Sequence, residues 1–239
     1  MVHKNFKQQF LTLIPVFLAI YIPSIVLIAI LFVIYRTTSV NWAAFTSEPA
    51  AIFEFPSYYG LVTNIGVLLL CASTAVCFFC FKILRIQDRD KEKAVLLLFL
   101  GIFTLILTVD DFFLIHEAVG DLFAWGFGVV DDMGEAAFFI LYAVLFLYIV
   151  IRFRKVILSS DYILLIVVVL LFVYSTVADL GTLFSSAEQT ANATKSFKSQ
   201  ALKAGEDISK FVAIVTWFTY LMRTSLRFVQ KNNNHNSIP

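Results

Sequence analysis

The sequence has little of what soluble domains and disulfide-rich proteins depend on. Only 15% of its 239 residues are charged, whereas 60% are hydrophobic. A soluble domain is usually about 45–50% apolar, so this composition argues against an ordinary soluble protein. The three cysteines, Cys71, Cys77 and Cys80, all lie in one apolar run. They fit small buried hydrophobes rather than a disulfide framework.

Basic tracts and histidines are scarce as well. The formal net charge is +1, and no basic run is suited to a phosphate backbone, so the sequence predicts no nucleic-acid partner. Of three histidines, only His116 lies in an apolar segment. That excludes the multi-histidine sites of ceramidase-like hydrolases and membrane desaturases. His116-Glu117 also lacks the second histidine of an HExxH zinc site, and the Glu-x-x-His pairs of soluble di-iron bundles are absent.

Long apolar runs dominate what is present. A helix of about 20 apolar residues spans a hydrocarbon core of about 30 Å, and polar or turn-forming breaks separate six segments of that length. The sequence therefore predicts an all-α polytopic membrane protein, a bundle of six transmembrane helices in a single domain covering 1–239. The predicted spans are about 10–36, 58–82, 93–119, 131–152, 161–184 and 205–226.

The positions of Lys and Arg predict the orientation, because positively charged short loops stay on the cytoplasmic side. Basic residues flank the N-terminus, the second–third loop, the fourth–fifth loop and the C-terminal end. With six spans these four regions share one side, so both termini are predicted to be cytoplasmic. The polar stretch 185–203 then faces the exoplasmic side.

Acidic residues recur at one predicted depth in four helices. Asp110, Glu135, Asp179 and Glu206 each lie 17 or 18 residues from a charged residue that flanks the cytoplasmic end, which is about 25–27 Å at about 1.5 Å per residue. A charge facing lipid at mid-bilayer costs about 2.5–3.5 kcal/mol or more. The acids are therefore predicted to face the bundle interior, in its outer part.

A plainer alternative is that these acids cap helix ends at the membrane boundary. Asp131 and Asp132 fit that account, because carboxylates are favoured at helix N-termini. The account is disfavoured for Asp110, Asp111 and Asp179, which lie near the C-terminal ends of their predicted helices, where the helix dipole repels anions.

The acids outnumber the cations available to neutralise them. Lys210 is one predicted partner, for Glu206 or Asp179. Carboxylates with one imidazole suit a divalent cation such as Ca²⁺, Mg²⁺, Mn²⁺, Fe²⁺ or Zn²⁺. The predicted metal ligands are Asp110, Asp111, His116, Glu117, Asp131, Glu135, Asp179 and Glu206. The predicted acid–base or oxyanion groups are Tyr142, Ser175 and Lys210.

Three classes of function remain open. The first is a metal-dependent membrane enzyme that acts on a lipid-like substrate reaching an exoplasmic-facing pocket from the bilayer. The second is a cation- or proton-coupled transporter or channel, since acids within a membrane mark ion paths. The apolar inner halves of the helices and the rarity of Gly and Pro within spans argue against it. The third is a non-catalytic subunit or assembly factor of a membrane complex.

Overall fold

The computed structural model of the chain describes residues 60–88, 90–127, 131–187 and 193–230, together with Pro56 and positions 14, 18, 22, 25, 26, 28–30 and 32–38. Side chains are described in these ranges except at 121, 123, 124, 127, 131–135, 178–187, 193–204 and 206. The chain divides into two compact units, Met1–Tyr59 and Gly60–Pro239.

The first unit is helical at every described position from 14 to 37. The hydroxyl of Thr37 donates to the carbonyl of Val33, and that of Thr38 donates to the carbonyl of Ile34. These bonds occupy carbonyls of the last turn, which lack main-chain partners at a helix end. The described positions are therefore helical where the first span is predicted, and the span itself stays a prediction.

The second unit consists of helices throughout its described residues, so the all-α class is confirmed for the part of the chain that the structure describes. The helices are α1 (Leu61–Ile86), α2 (Lys91–Phe113), α3 (Ile115–Phe127), α4 (Asp131–Arg152), α5 (Arg154–Leu158), α6 (Tyr162–Ala187) and α7 (Ala193–Gln230).

Helices α1 and α2 form a tightly packed hairpin. Residues 87–90 join them, and Cys77 and Leu84 of the first helix are buried in the same core as Leu97 of the second. Gly101 permits the close approach, because a Cβ atom there would lie 2.8 Å from the ring of Phe78. A larger residue at this point would force the two helices apart.

Helix α7 packs along α1 and α6, and its side chains also reach α2. Three α2–α7 contacts share one antiparallel register, since the residue numbers of each pair add to the same total. The pairs are Lys93 with Phe228, Thr104 with Trp217, and Asp111 with Lys210. Helix α4 contacts α2 from another side through Phe146 and Tyr148.

Two of the described helices are long and apolar enough to cross a membrane. They are α1, with mean hydropathy 2.3, and α2, with mean hydropathy 2.2. In α4 and α6 the apolar stretches with described side chains are Ala136–Arg152 and Tyr162–Val177, and both helices extend beyond them. Six membrane spans therefore remain a prediction.

Two predicted boundaries are wrong. One continuous helix over 93–119 was expected, but α2 ends at Phe113 because Leu114 adopts a left-handed backbone conformation, with φ 52° and ψ 44°. The last helix was expected to begin near 205, but it begins at Ala193. Most of the polar stretch 185–203 is therefore helical, because polarity alone does not prevent a helix that packs on a neighbour.

Candidate functional site

Because α2 ends at Phe113, the side chain of Asp110 caps the start of the next helix, α3. The main-chain N–H of His116 donates to Asp110 Oδ1 at 2.8 Å, and His116 Nδ1 lies 3.0 Å from Asp110 Oδ2. The first N–H groups of a helix have no partner within it, so the carboxylate satisfies one of them at the start of α3. The expectation that capping cannot explain Asp110 is therefore wrong, since it assumed an unbroken helix.

The same contacts orient the His116 imidazole. With Nδ1 held by the carboxylate, a neutral ring carries its proton on Nδ1 and leaves Nε2 as the basic nitrogen. Nε2 has no hydrogen-bond partner among the described residues, and the ring lies 5.8 Å from the ring of Phe139. A carboxylate that fixes an imidazole in this way is the arrangement that prepares Nε2 as a base or a metal ligand.

An apolar groove of about 340 Å³ lies beside this pair, between α2, α3 and α4. The groove is open to the surface, since its lining residues Leu105, Ile106 and Val109 are themselves exposed. Asp110 and the phenol of Tyr142 are its polar side chains, and they lie next to each other. The apolar lining residues are Leu105, Ile106, Val109, Ile115 and Phe138.

Asp111 points to a different neighbour. Its Oδ1 accepts from the Lys210 ammonium at 2.6 Å, with the Asp111 side chain 9% exposed and that of Lys210 40% exposed. The other oxygen, Oδ2, is buried without a hydrogen-bond partner among the described residues. Lys210 therefore pairs with Asp111, while the side chains of Glu206 and Asp179, the partners that the sequence suggested, lie outside the described ones. Adjacent carboxylates thus serve two separate sites.

Three aromatic rings pack together in the bundle interior, next to the level of Asp110 and Asp111. Phe103, Phe146 and Trp217 lie with their ring centroids 5.7–6.3 Å apart. The indole N–H of Trp217 donates to Thr104 Oγ1 at 3.1 Å, which fixes the ring in place. These three rings form what we call the aromatic floor. It lies between the end of the bundle that carries Asp110 and Asp111, the acidic end, and the end that carries Asp161, Arg223 and Arg227, the basic end.

The basic end carries exposed ion pairs. Asp161, at the start of α6, accepts from Arg223 Nε at 2.8 Å and also pairs with Arg227. The Arg223 hydrogen bond lowers the pKa of the Asp161 carboxyl more than desolvation raises it, and the charges of Arg223 and Arg227 lower the pKa further. Glu92 and Arg152 pair at 4.0 Å at the same end.

The structure brings together only part of the predicted site. Asp110, His116 and Tyr142 form one cluster, and Asp111 and Lys210 form another. Glu117 is exposed, and Ser175 is buried on α6 with interactions of its own. The side chains of Asp131, Glu135, Asp179 and Glu206 lie outside the described residues.

Among the described side chains, no group of three His, Cys, Asp or Glu residues is placed to hold a metal. The common depth of the acids also needs correction. The α2–α7 register sets Asp110 level with Phe211, which puts Glu206 five residues farther out, or about 7 Å. A common depth for Asp110 and Glu206 requires Lys93 and Arg223, the flanking charges from which their depths are counted, to lie at one level, whereas Lys93 lies level with Phe228.

Sequence reasoning missed the groove lining and the break. Leu114 carries no signal for a left-handed residue, because glycine is the usual choice there. A six-residue separation of Asp110 and His116 is also not a helical contact spacing. The contact could have been found only by considering a helix end at that position.

Comparison with known families gives one match. The chain belongs to the family described as a domain of unknown function (DUF8692), whose model matches residues 19–224. No curated protein and no solved structure matches the chain.

Proposed function

We propose that this member of the family is an integral, multi-pass membrane protein that binds a lipid-like molecule in the groove and acts on it through Asp110 and His116. The groove would face the exoplasmic side. The observation that carries the proposal is that Asp110 lines an apolar groove and also holds the His116 imidazole.

Helix exposure supports the membrane location. In the most apolar windows of α1 and α2, only 39% and 44% of the residues are buried. A core helix of a soluble protein would be largely buried, whereas these two expose large apolar side chains such as Leu68, Phe79 and Phe112. A surface of this kind is stable in hydrocarbon, where apolar side chains need no burial against protein.

The groove supports a ligand with a long apolar part and a small polar head. Its lining is apolar apart from Asp110 and Tyr142. A carboxylate there favours a head group that donates a hydrogen bond or carries positive charge, and it repels phosphate and free carboxylate. A long-chain alcohol or amine fits these requirements.

The chemistry proposed for the pair is general base catalysis. Asp110 holds Nδ1 of His116, so Nε2 is the atom that would take a proton from the ligand head or from a water molecule, and Asp110 would stabilise the resulting imidazolium. Tyr142, beside Asp110, would hydrogen-bond the polar head. A cation is not part of this proposal, because the described side chains include no group of three His, Cys, Asp or Glu residues placed to hold one.

A route through the bundle for ions has less support. The aromatic floor of Phe103, Phe146 and Trp217 separates the acidic end from the basic end. Ion pathways need polar or hydrated linings along their length. We therefore favour a site that opens on one side over a transporter or channel.

Filling the groove tests the proposal. Val109→Trp places a large ring in the groove, whereas Val144→Trp makes the same change on the exposed surface of α4, away from the groove. Native mass spectrometry of protein extracted in mild detergent should show a bound amphiphile in the wild type and in Val144→Trp, and at least about tenfold less in Val109→Trp. Equal occupancy in the three proteins would refute ligand binding in the groove.

Catalysis has a separate test. The amphiphile released from the wild type is identified and returned to the purified protein and to His116→Gln. Turnover by the wild type, and a fall of about 10²–10⁴-fold in His116→Gln, is the expected result for a lost general base. Equal turnover by both proteins, or none by the wild type, would restrict the function to binding.

A further inference from the structure

We infer that the exposed face of α3, together with the end of α2, docks into the boundary between the head groups and the acyl chains of the bilayer. This inference rests on the proposed membrane location. It assigns α3 the role of an interfacial helix that lies along the membrane surface instead of crossing it.

The length and start of α3 support this role. It has 13 residues, about 20 Å at about 1.5 Å per residue, which is short of the about 30 Å needed to cross hydrocarbon. It begins immediately after Leu114, whose left-handed conformation ends α2. The Asp110–His116 contacts then fix its first turn to the end of α2.

Helix α3 has two faces. His116, Val119 and Gly120 are at least half-buried on the side that packs on α4. Leu122 and Trp125 are exposed, with Trp125 88% exposed, and Glu117 is the exposed charged residue beside them in the first turn. A helix with one packed face and one apolar, aromatic face is suited to the interface, where tryptophan is enriched because its ring is apolar and its N–H is polar.

The exposed apolar surface of α2 continues onto this face of α3, which indicates that lipid covers both. Exposed apolar side chains follow α2 at helical spacing up to its last turn, where Phe112 and Phe113 are in edge-to-face contact at 4.8 Å. The stripe consists of Ile102, Leu105, Ile106, Val109, Phe112 and Phe113. If α2 faces acyl chains along this stripe, its end and α3 meet the same leaflet at its surface.

This placement has a consequence for the groove. Val109 and Ile115, on either side of the break, both line it. The mouth of the groove would therefore lie at the level of the lipid head groups. An amphiphile could enter from the leaflet with its chain in the groove and its polar head beside Asp110 and His116.

Fluorescence quenching by brominated lipids tests the inference. The protein is reconstituted in phosphatidylcholine vesicles that carry bromine either near the glycerol end of the acyl chain or near its methyl end. The signal of Trp125 is obtained as the difference between the wild type and Trp125→Phe. Trp42→Phe is the matched control, because it retains Trp125. Trp217, 2% exposed inside the bundle, should contribute little quenching.

We expect the shallow bromine to quench the Trp125 signal at least about twofold more than the deep bromine, as for a side chain at the interface. Stronger quenching by the deep bromine, or none by either, would overturn the inference. Carbonate extraction of the same vesicles separates this outcome from a failure of the membrane proposal. A chain that stays in the pellet while Trp125 is unquenched refutes only the interfacial role of α3.

Discussion

Acidic side chains differ in burial and in partners between the two ends of the helical bundle. At the basic end, Asp161 pairs with Arg223 and Arg227, whose side chains are about half exposed. At the acidic end, Asp110 and Asp111 have side chains only 9% exposed; Asp110 contacts His116 and Tyr142, and Asp111 pairs with Lys210.

The two ends differ in how much folding free energy is lost when an acidic residue loses its partner. Exposed ion pairs contribute about 0–1 kcal/mol, because water and salt replace the partner. A buried carboxylate that loses its partner keeps its desolvation cost, so the loss is several-fold larger. The basic end therefore depends little on any single pair, whereas the acidic end depends on each contact.

Lys210→Met should have the largest effect on stability. It leaves the Asp111 carboxylate buried without a partner, and we expect a loss of about 2–3 kcal/mol, less than for a fully buried pair because Lys210 is partly exposed. The free energy of unfolding is measured by dodecyl sulfate titration in mixed micelles. The double variant Asp111→Leu with Lys210→Met should recover to within about 1 kcal/mol of the wild type. A single-variant loss below that of Arg223→Gln would contradict the contrast.

Asp110→Asn should cost about 1–2 kcal/mol, because it weakens the cap on α3. The amide oxygen can still accept from the His116 N–H, but the charge that orients the imidazole is lost. Hydrogen exchange should show increased opening in the first turn of α3 and little change in α1. Uniform protection in the variant and the wild type would mean that the carboxylate does not hold α3.

Substitutions at Leu114 test the break between α2 and α3. Glycine adopts a left-handed conformation without strain, whereas a β-branched residue is strongly disfavoured there. We expect Leu114→Gly to match or exceed the wild type in stability and Leu114→Val to lose about 1–2 kcal/mol, measured by the same titration. If Leu114→Val is the more stable variant, the helix continues through this position.

Asp161→Asn should have the smallest effect, below about 1 kcal/mol at low salt. The pKa of Asp161 is lowered in the folded protein from its ordinary 3.8, so its contribution is present above that pH and disappears as the pH falls through the lowered value. The variant should thus differ from the wild type at pH 6, converge with it in acid, and converge also at about 1 M salt. A difference that persists at low pH would point to another cause.

The helices and the acidic end could be predicted from apolar runs and charge spacing, because hydrophobic pattern and rise per residue determine them. The side-chain pairings could not be predicted from the sequence. Asp111 and Lys210 are 99 residues apart, so their contact depends on the order of helices in the bundle. Asp110 meets His116 only because Leu114 adopts a conformation that its side chain disfavours. The adjacent carboxylates of Asp110 and Asp111 were therefore predicted to form one site, but they belong to two.

The orientation of His116 by Asp110 is tested most directly by ¹⁵N NMR of protein labelled in its three histidines, with His116→Gln to assign the signal. At a pH where the ring is neutral, we expect His116 to carry its proton on Nδ1, to have an unprotonated Nε2, and to lose this tautomer preference in Asp110→Asn. A His116 signal identical to those of the other two histidines, and unchanged in Asp110→Asn, would contradict the account.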